Sequence, residues 1–405
     1  MGGRSIVFVA VLACVVSCGL KEIDGGQSAG NGIWTGPGNV VVGNDSVPEG
    51  MSTVYYTVGV DYQDGYDWRA DEEKGSVRCS LVVYADGIPL MKVPVGDEYE
   101  ISADPDMHRI IGGSLYTDYS TQDETVIKKN GETLFTYSGR EMIIGMAVLD
   151  GYVYTLGQSR HGKGFSFRRD GEILFESSSG HLFPHLQKCE DGFCFAFYEP
   201  EKFEGTSVER YYHYLGGEVC QIVVQQGVDK VWDMMFNEQE ICYLASMTGM
   251  SVPVLVVGDL VSPMAVKGKT EVVSCRFISS GDGLSIEGIM SQAGKNLYSC
   301  IWNGPQLSET FQPGYTAAAV CASDDHIACV LNGQGNFSGG TIYFDGKSFD
   351  MPGGYMSMGG NSMVIMEGCL YAGLTSENGD YPVVWSEEKI KPLKINGFIS
   401  HMSVN

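Results

Sequence analysis

The sequence predicts an all-β chain in which one four-stranded antiparallel unit is repeated eight times. Three observations carry this. Two-residue turn signals recur at a near-constant spacing, short strands of alternating apolar character flank each of them, and no segment holds a long helical period. The clearest copy is 151–176, GYVYTLGQSRHGKGFSFRRDGEILFE. YVYTLG, GFSFRR and EILFE read as three strands. Asp170-Gly171 joins the last two as a type I′ hairpin turn, in which both central residues need φ > 0.

Equivalent turns stand at Asp86-Gly87, Asn130-Gly131, Gly216-Gly217, Gly258-Asp259, Asn303-Gly304, Asp345-Gly346 and Glu387-Glu388. The second residues of these eight turns, in chain order, are 44, 40, 46, 42, 45, 42 and 42 apart. A second tight turn falls between the first two strands of a unit, at Asp150-Gly151, Asp191-Gly192, Asp282-Gly283, Asp324-Asp325 and Glu367-Gly368. Four strands in a period of about 43 residues are the signature of a β-propeller blade.

The chain ends extend the argument. After the last turn come one outer strand, IKPLKI, and then FISHMSVN at 398–405, which starts a unit that nothing follows. The first unit has VYYTVGV, SVRCSLVVY and IPLMKVP but no inner strand before them. The C-terminal strand is therefore expected to complete the first blade, closing the ring and removing its exposed edges. Eight blades are expected, and seven if the irregular fifth unit, with Gly258-Asp259, is not one.

On these repeats the chain resembles β-propeller proteins over 51–405 and, more loosely, uncharacterised propeller lipoproteins of Bacteroidota. Trp232-Asp233 is the one Trp-Asp dipeptide and falls in an inner strand, and kelch-type double glycines are not repeated, so neither named subfamily fits. The fold by itself implies no activity.

Composition agrees with many turns around a real core: 54 of 405 residues are Gly, spread along the chain, and 43% are hydrophobic. The formal charge of −24 argues against nucleic acid, whose phosphates need Lys and Arg. The N-terminus reads as a processing signal, with Arg4 before the apolar run 6–16, which is too short to span a membrane as a mature helix. Ser17-Cys18 resembles the cleavage site of a bacterial lipoprotein, with Cys18 carrying the lipid; Cys14 is a second possible site, and an ordinary secretory signal is the alternative. Lys21-Glu22-Ile23-Asp24 resembles the charged export tag of surface lipoproteins. The organisation expected is a signal at 1–17, a flexible tether at 18–50 and the propeller at 51–405, giving an outer-membrane lipoprotein that faces periplasm or cell surface.

Twelve cysteines are present; setting aside Cys14 and Cys18 leaves ten. Cys189 and Cys194 flank one tight turn and Cys321 and Cys329 another. Either pair could oxidise in an exported chain, while buried free thiols are the ordinary state in tightly packed sheets. No Cys/His spacing suggests zinc.

Ligands of propellers meet the face built from loops between the second and third strands and loops entering each inner strand. Long loops are the candidates there. The longest, 61–75, interleaves Asp61, Asp64 and Asp67 with Tyr62, Tyr66 and Trp68. Segment 199–205 adds Phe203, 332–340 adds Phe337 and 376–381 adds Tyr381. Carboxylates beside aromatic rings suit a glycan or a protein partner; the plain alternative is a solvated loop. The D-x-x-D-G-x-D spacing lacks the Glu of a calcium loop. At the channel, His185, Asp233, Arg276 and His401 could converge as general acid/base groups, although inner-strand polar residues commonly bond backbone or water. No GxSxG, HExxH or phosphate-loop motif is present. The function expected is a monomeric, lipid-anchored binding module for a protein or glycan, without cofactor. The alternative is a polysaccharide hydrolase or lyase at the channel mouth.

Overall fold

A computed structural model describes residues 54–404 apart from 64–78, 96–107, 122, 161–162, 190–191, 204–205, 238–239, 269, 280–283, 293–295, 312–314, 324–325, 334–339, 360, 377 and 388. Eight antiparallel sheets form a ring, and all regular elements among the described residues are strands. Blade one joins Tyr55–Tyr62, Cys79–Ala85 and Ile88–Pro94 to the C-terminal strand Gly397–Val404, in register from Tyr55↔Val404 to Asp61↔Gly397. Blades two to eight follow in order at 108–138, 141–177, 181–222, 228–263, 270–310, 315–350 and 355–392. The fifth unit is a regular four-stranded blade, so the count is eight and the C-terminal strand closes the ring.

The outer turns show why Asp recurs. Asp170 has φ 48° and Gly171 φ 86°. Asp170 N–H donates to Val153 O (2.8 Å), and Val153 N–H donates back to Asp170 Oδ1 (2.8 Å). One side chain thus tolerates the left-handed backbone and satisfies the first free amide of the second strand. Asp86 with Tyr55, Asn130 with Leu115 and Asp345 with Ile327 repeat the pair. Blades four, five and six place Gly216, Gly258 and Gly304 there, at φ 55–56°, and keep only the backbone half. In blade six the turn is Gly304-Pro305, one residue later than the sequence suggested, because Asn303 pairs with Gln306. Glycine first and a residue of negative φ second is the II′ pattern, which proline fits.

Middle strands are buried on both faces because each blade is sandwiched between two others. Between blades three and four, Phe165 and Phe167 pack against Phe193, Phe195, Phe197 and Tyr214, with Phe195 stacked on Tyr214 at 4.9 Å and Phe165 edge-on to Phe197 at 5.0 Å. Each such ring contributes about 1.5–3 kcal/mol by leaving water. Gly145 lets this seam close: a Cβ there would stand 2.7 Å from Leu186 Cβ.

The inner strands share an irregularity. In blades one, three, five, six and seven one residue is skipped at a similar depth: Ser400, Ile144, Trp232, Val273 and Ala318. Such bulges increase local twist. In blades four and eight, opposite each other across the ring, longer excursions interrupt the inner strand at 183–186 and 357–362.

Side chains stitch each of the eight seams. Leu182 N–H donates to Gln158 Oε1 (3.0 Å), Ala317 N–H to Ser299 Oγ (3.0 Å), and Ile399 N–H to Thr375 Oγ1 (3.4 Å). Gln187 takes both the N–H and the C=O of Phe236 at 2.8 Å, and Asn332 does the same for Ser357 at 3.0 and 2.8 Å. Arg109 donates to Ile143 O (2.8 Å) between blades two and three, and Asp233 accepts from Phe277 N–H (2.8 Å) between five and six. Between blades one and two, His108 Nδ1 is hydrogen-bonded to Ser400 Oγ (3.1 Å).

That last seam is sensitive to acid. His108 and His401 are 1% and 6% exposed, and His108 Nε2 and His401 Nδ1 meet no hydrogen-bond partner among the described residues. Burial, reinforced by Arg109, lowers His108 to about 4 and His401 to about 3. Above pH 6.5 both the folded and unfolded chains hold these rings neutral, and stability is complete. As pH falls below 6.5 the unfolded chain binds the protons first, so stability is lost progressively down to those folded-state values. Unfolding free energies from denaturant titration at pH 7 and pH 5 are expected to differ by up to about 1.4 kcal/mol per pH unit per histidine. A His108→Gln/His401→Gln chain should show a shallower slope. In blade three, Asp170→Ala should cost about 2 kcal/mol in the same assay, and Asp170→Asn well under 1 kcal/mol, since Asn130 plays this part in blade two.

Candidate functional site: channel and loop face

Two of the four channel residues meet. His185 lies in the excursion that interrupts the inner strand of blade four, and Asp233 follows the skipped Trp232 of blade five. His185 Nε2 is 2.8 Å from Asp233 Oδ2, which also accepts from Phe277 N–H of blade six; Asp233 Oδ1 accepts from Met234 N–H (2.8 Å). Asp233 is 0% exposed. One carboxylate therefore holds three blades together, with its oxygens already engaged. Arg276 instead pairs with Glu287, its neighbour across the same two strands. His401 sits in the seam of blades one and two. The four do not form one constellation.

A second buried ion pair, not singled out from the sequence, joins blades two and three. Glu141 Oε1 accepts from Ser166 Oγ (2.8 Å) and Arg168 (3.3 Å), and Oε2 accepts from Tyr137 O–H (3.1 Å). The Arg168 guanidinium lies 4.1 Å from the centre of the Tyr137 ring. Burial first, and then the Glu141 charge, push the Tyr137 hydroxyl well above its ordinary range. Gly157 leaves the gap through which the Glu141 side chain crosses, since a Cβ there would collide with that carboxylate. The signals available were an arginine inside FSFRR and a glycine inside YVYTLG.

On the loop face, Asp64, Tyr66, Asp67, Trp68 and Phe337 lie outside the described residues, as does Cys18, and the Phe203 side chain is likewise not described. Asp61 and Tyr62 belong to the ring closure. Asp61 pairs with Lys92 (2.7 Å) and accepts from Asn396 N–H (2.9 Å), and the Tyr62 ring lies 6.3 Å from that of Phe398. Tyr381 is 53% exposed.

Residues 199–203, expected in a loop, are strand. Gly192–Phe203 and Thr206–Leu215 pair rung by rung to Phe203↔Thr206, five rungs past Tyr211↔Ile222, where the outer strand Glu218–Ile222 ends. At about 3.4 Å per residue, this hairpin overshoots its blade by about 17 Å. Ser177 Oγ donates to Glu199 (2.5 Å) and ties its base to blade three; Arg210 pairs with Glu201. Beside it runs a groove of about 360 Å³, lined by Val208, Tyr211, Ile222, Val223 and Val224 with Glu201, Glu209, Arg210 and Gln221. Tyr211 O–H donates to Glu209 (2.6 Å). Its hydroxyl is pushed above the ordinary range by burial and by Glu209, and that of Tyr198 up to about 12 by the same causes. Both remain neutral donors at neutral pH.

The ten described cysteines are free thiols. Cys194 pairs with Gln187, which puts Cys189 and Cys194 diagonal on one face rather than opposite; the two thiols are hydrogen-bonded, and burial raises Cys194. Cys321 and Cys329 point to opposite faces of blade seven, Cys321 toward blade eight and Cys329 toward blade six, so they cannot bridge without rebuilding the hairpin. Among the described residues no group of three or more His, Cys, Asp or Glu is placed to hold a metal ion, and no helix is long and apolar enough to cross a membrane.

No family profile and no curated protein matches the sequence. Solved structures similar in shape include the β-propeller domain of the Trilobed protease from Pyrococcus furiosus, at 8% identity and TM-score 0.45 over 73% of this chain and 91% of that one. Dihydro-heme d1 dehydrogenase NirN is similar at 11% identity and TM-score 0.49 over 86% of this chain and 74% of that one. The Pyrococcus horikoshii acylaminoacyl peptidase is similar at 9% identity and TM-score 0.45 over 82% of this chain and 57% of that one. At such identities and TM-scores the likeness carries no argument about this chain; its own ring of eight antiparallel blades makes it a β-propeller.

Asp233→Ala should destabilise the chain by about 3 kcal/mol or more, because it leaves two buried amides and a buried imidazole without their acceptor. Urea denaturation measures this. A residue whose task is catalysis would instead be lost with little effect on stability.

Proposed function

We propose that this chain is a lipid-anchored extracytoplasmic binding module whose loop face captures a protein or glycan. Cys18 would carry the lipid and 18–50 would tether the propeller, as in the Bacteroidota propeller lipoproteins the sequence resembles. The observation that carries the binding reading is the blade-four hairpin. It is the largest described departure from the repeat on that face, and it walls a largely apolar groove rimmed by Glu201, Glu209 and Arg210. The groove volume suits a small ligand or a few residues of a larger one. The formal charge of −24 favours a neutral or basic partner over an acidic one. Channel catalysis draws less support, since the most buried carboxylate there already holds three hydrogen bonds.

Replacing 200–209 by Asn-Gly shortens the hairpin at the Glu199↔Arg210 rung and leaves the blade intact. The full chain and the shortened chain should be compared on a glycan array and in pull-downs from cell-envelope extracts. Capture by the full chain, reduced at least about tenfold by shortening with an unchanged melting temperature, is the expected outcome. Equal capture by both chains would remove the hairpin from the site.

A further inference from the structure

The groove of blade four borders an unpaired strand. Leu215 and Glu218 close the Gly216-Gly217 turn, so odd-numbered residues of Thr206–Leu215 turn their N–H and C=O toward the outer strand. That strand ends opposite Tyr211. Ser207 and Glu209 therefore direct their amides and carbonyls outward, with no ladder partner among the described residues. Two apolar side chains flank this edge: Val208, 42% exposed, and Val223, 88% exposed. An exposed edge with valines on it is the arrangement that folded proteins ordinarily cover.

We infer that the 206–210 edge takes up an extended basic peptide, which continues the line of the outer strand beyond Ile222; this rests on the loop-face reading above. An extended backbone is the complement of a row of alternating N–H and C=O groups, and its alternate side chains would lie along Val208 and Val223. Glu201, paired with Arg210, and Glu209, which accepts from Tyr211, leave the rim one charge negative, and with the formal charge of −24 this favours Lys or Arg in that peptide. A second copy of the chain is disfavoured, because two bodies of formal charge −24 would have to meet at their acidic hairpins. A sugar ring is disfavoured because Tyr211, the aromatic residue lining the groove, is 6% exposed and its hydroxyl is committed to Glu209.

The test is fluorescence anisotropy with the full chain and a fluorescein-labelled peptide, Lys-Val-Thr-Val-Lys-Val-Thr-Val-Lys. Saturable binding is expected, at least about tenfold weaker when alternate peptide nitrogens are methylated. Glu209→Pro removes one outward N–H, and the rim carboxylate with it, without breaking a backbone hydrogen bond of the hairpin, and Val223→Lys places a repelling charge on a side chain too exposed to affect folding. Each should weaken binding by at least about tenfold. Failure of the chain to bind the peptide, undiminished binding by both variants, or self-association through the hairpin in sedimentation equilibrium would each overturn the inference. If the peptide fails while the shortened chain still loses a glycan or protein partner, the edge inference falls and the loop-face reading stands.

Discussion

Each blade presents one strand to the axis, and that strand has no neighbour on its inner side. Its N–H and C=O groups would be buried without partners unless something else reached them, and leaving a buried donor unpaired costs about 1–3 kcal/mol. The remaining features follow from this constraint. Bulges and the two longer excursions turn inner-strand groups toward the adjacent blade. There Gln158, Gln187, Asp233, Ser299, Asn332 and Thr375 receive them. These six polar side chains are thus consumed by the architecture. On the proposed reading, function lies outward, on the parts of the loop face that depart from the repeat.

The same logic separates the two buried carboxylate clusters from catalytic dyads. Asp233 gathers hydrogen bonds from three blades, and Glu141 gathers a serine, an arginine and a tyrosine from two. A carboxylate so engaged gains little from being charged in isolation, and removing one partner is costly. What such groups supply is register: each fixes which strand of the next blade lies opposite.

The architecture was legible because it is local. Asp170-Gly171 and its sister turns need φ > 0 at fixed positions, and that demand is visible in residue type alone. The orphan strand FISHMSVN and the missing strand of the first unit pointed to each other for the same reason. The stitches were not legible, because Gln158 or Asn332 is an ordinary polar strand residue until the next blade is placed beside it. His185 and Asp233 were picked out by polarity, and only their packing, 48 residues apart, shows that they act on each other. Pro200 and Gly205 in the blade-four segment are residues ordinarily found in loops. Pro200, however, faces Glu209 at a rung that makes no hydrogen bonds, and the inner strand pairs only to Tyr198, so a missing N–H costs nothing there. Asp61 and Tyr62 looked like ligand groups because they open an acidic, aromatic stretch, yet they clasp Asn396 and Phe398.

The pairing of Tyr55–Tyr62 with Gly397–Val404 also sets an order of events. During synthesis the three outer strands of the first blade emerge before the other seven blades, and their inner strand only after them. Until then the three earlier strands hold an open edge, while seven blades assemble from contacts close in sequence. The oldest part of the chain is the last to be finished. A ribosome that stalls anywhere before residue 397 leaves a product whose defect is exposed at its beginning, where unpaired strand edges are most readily detected or most readily aggregate.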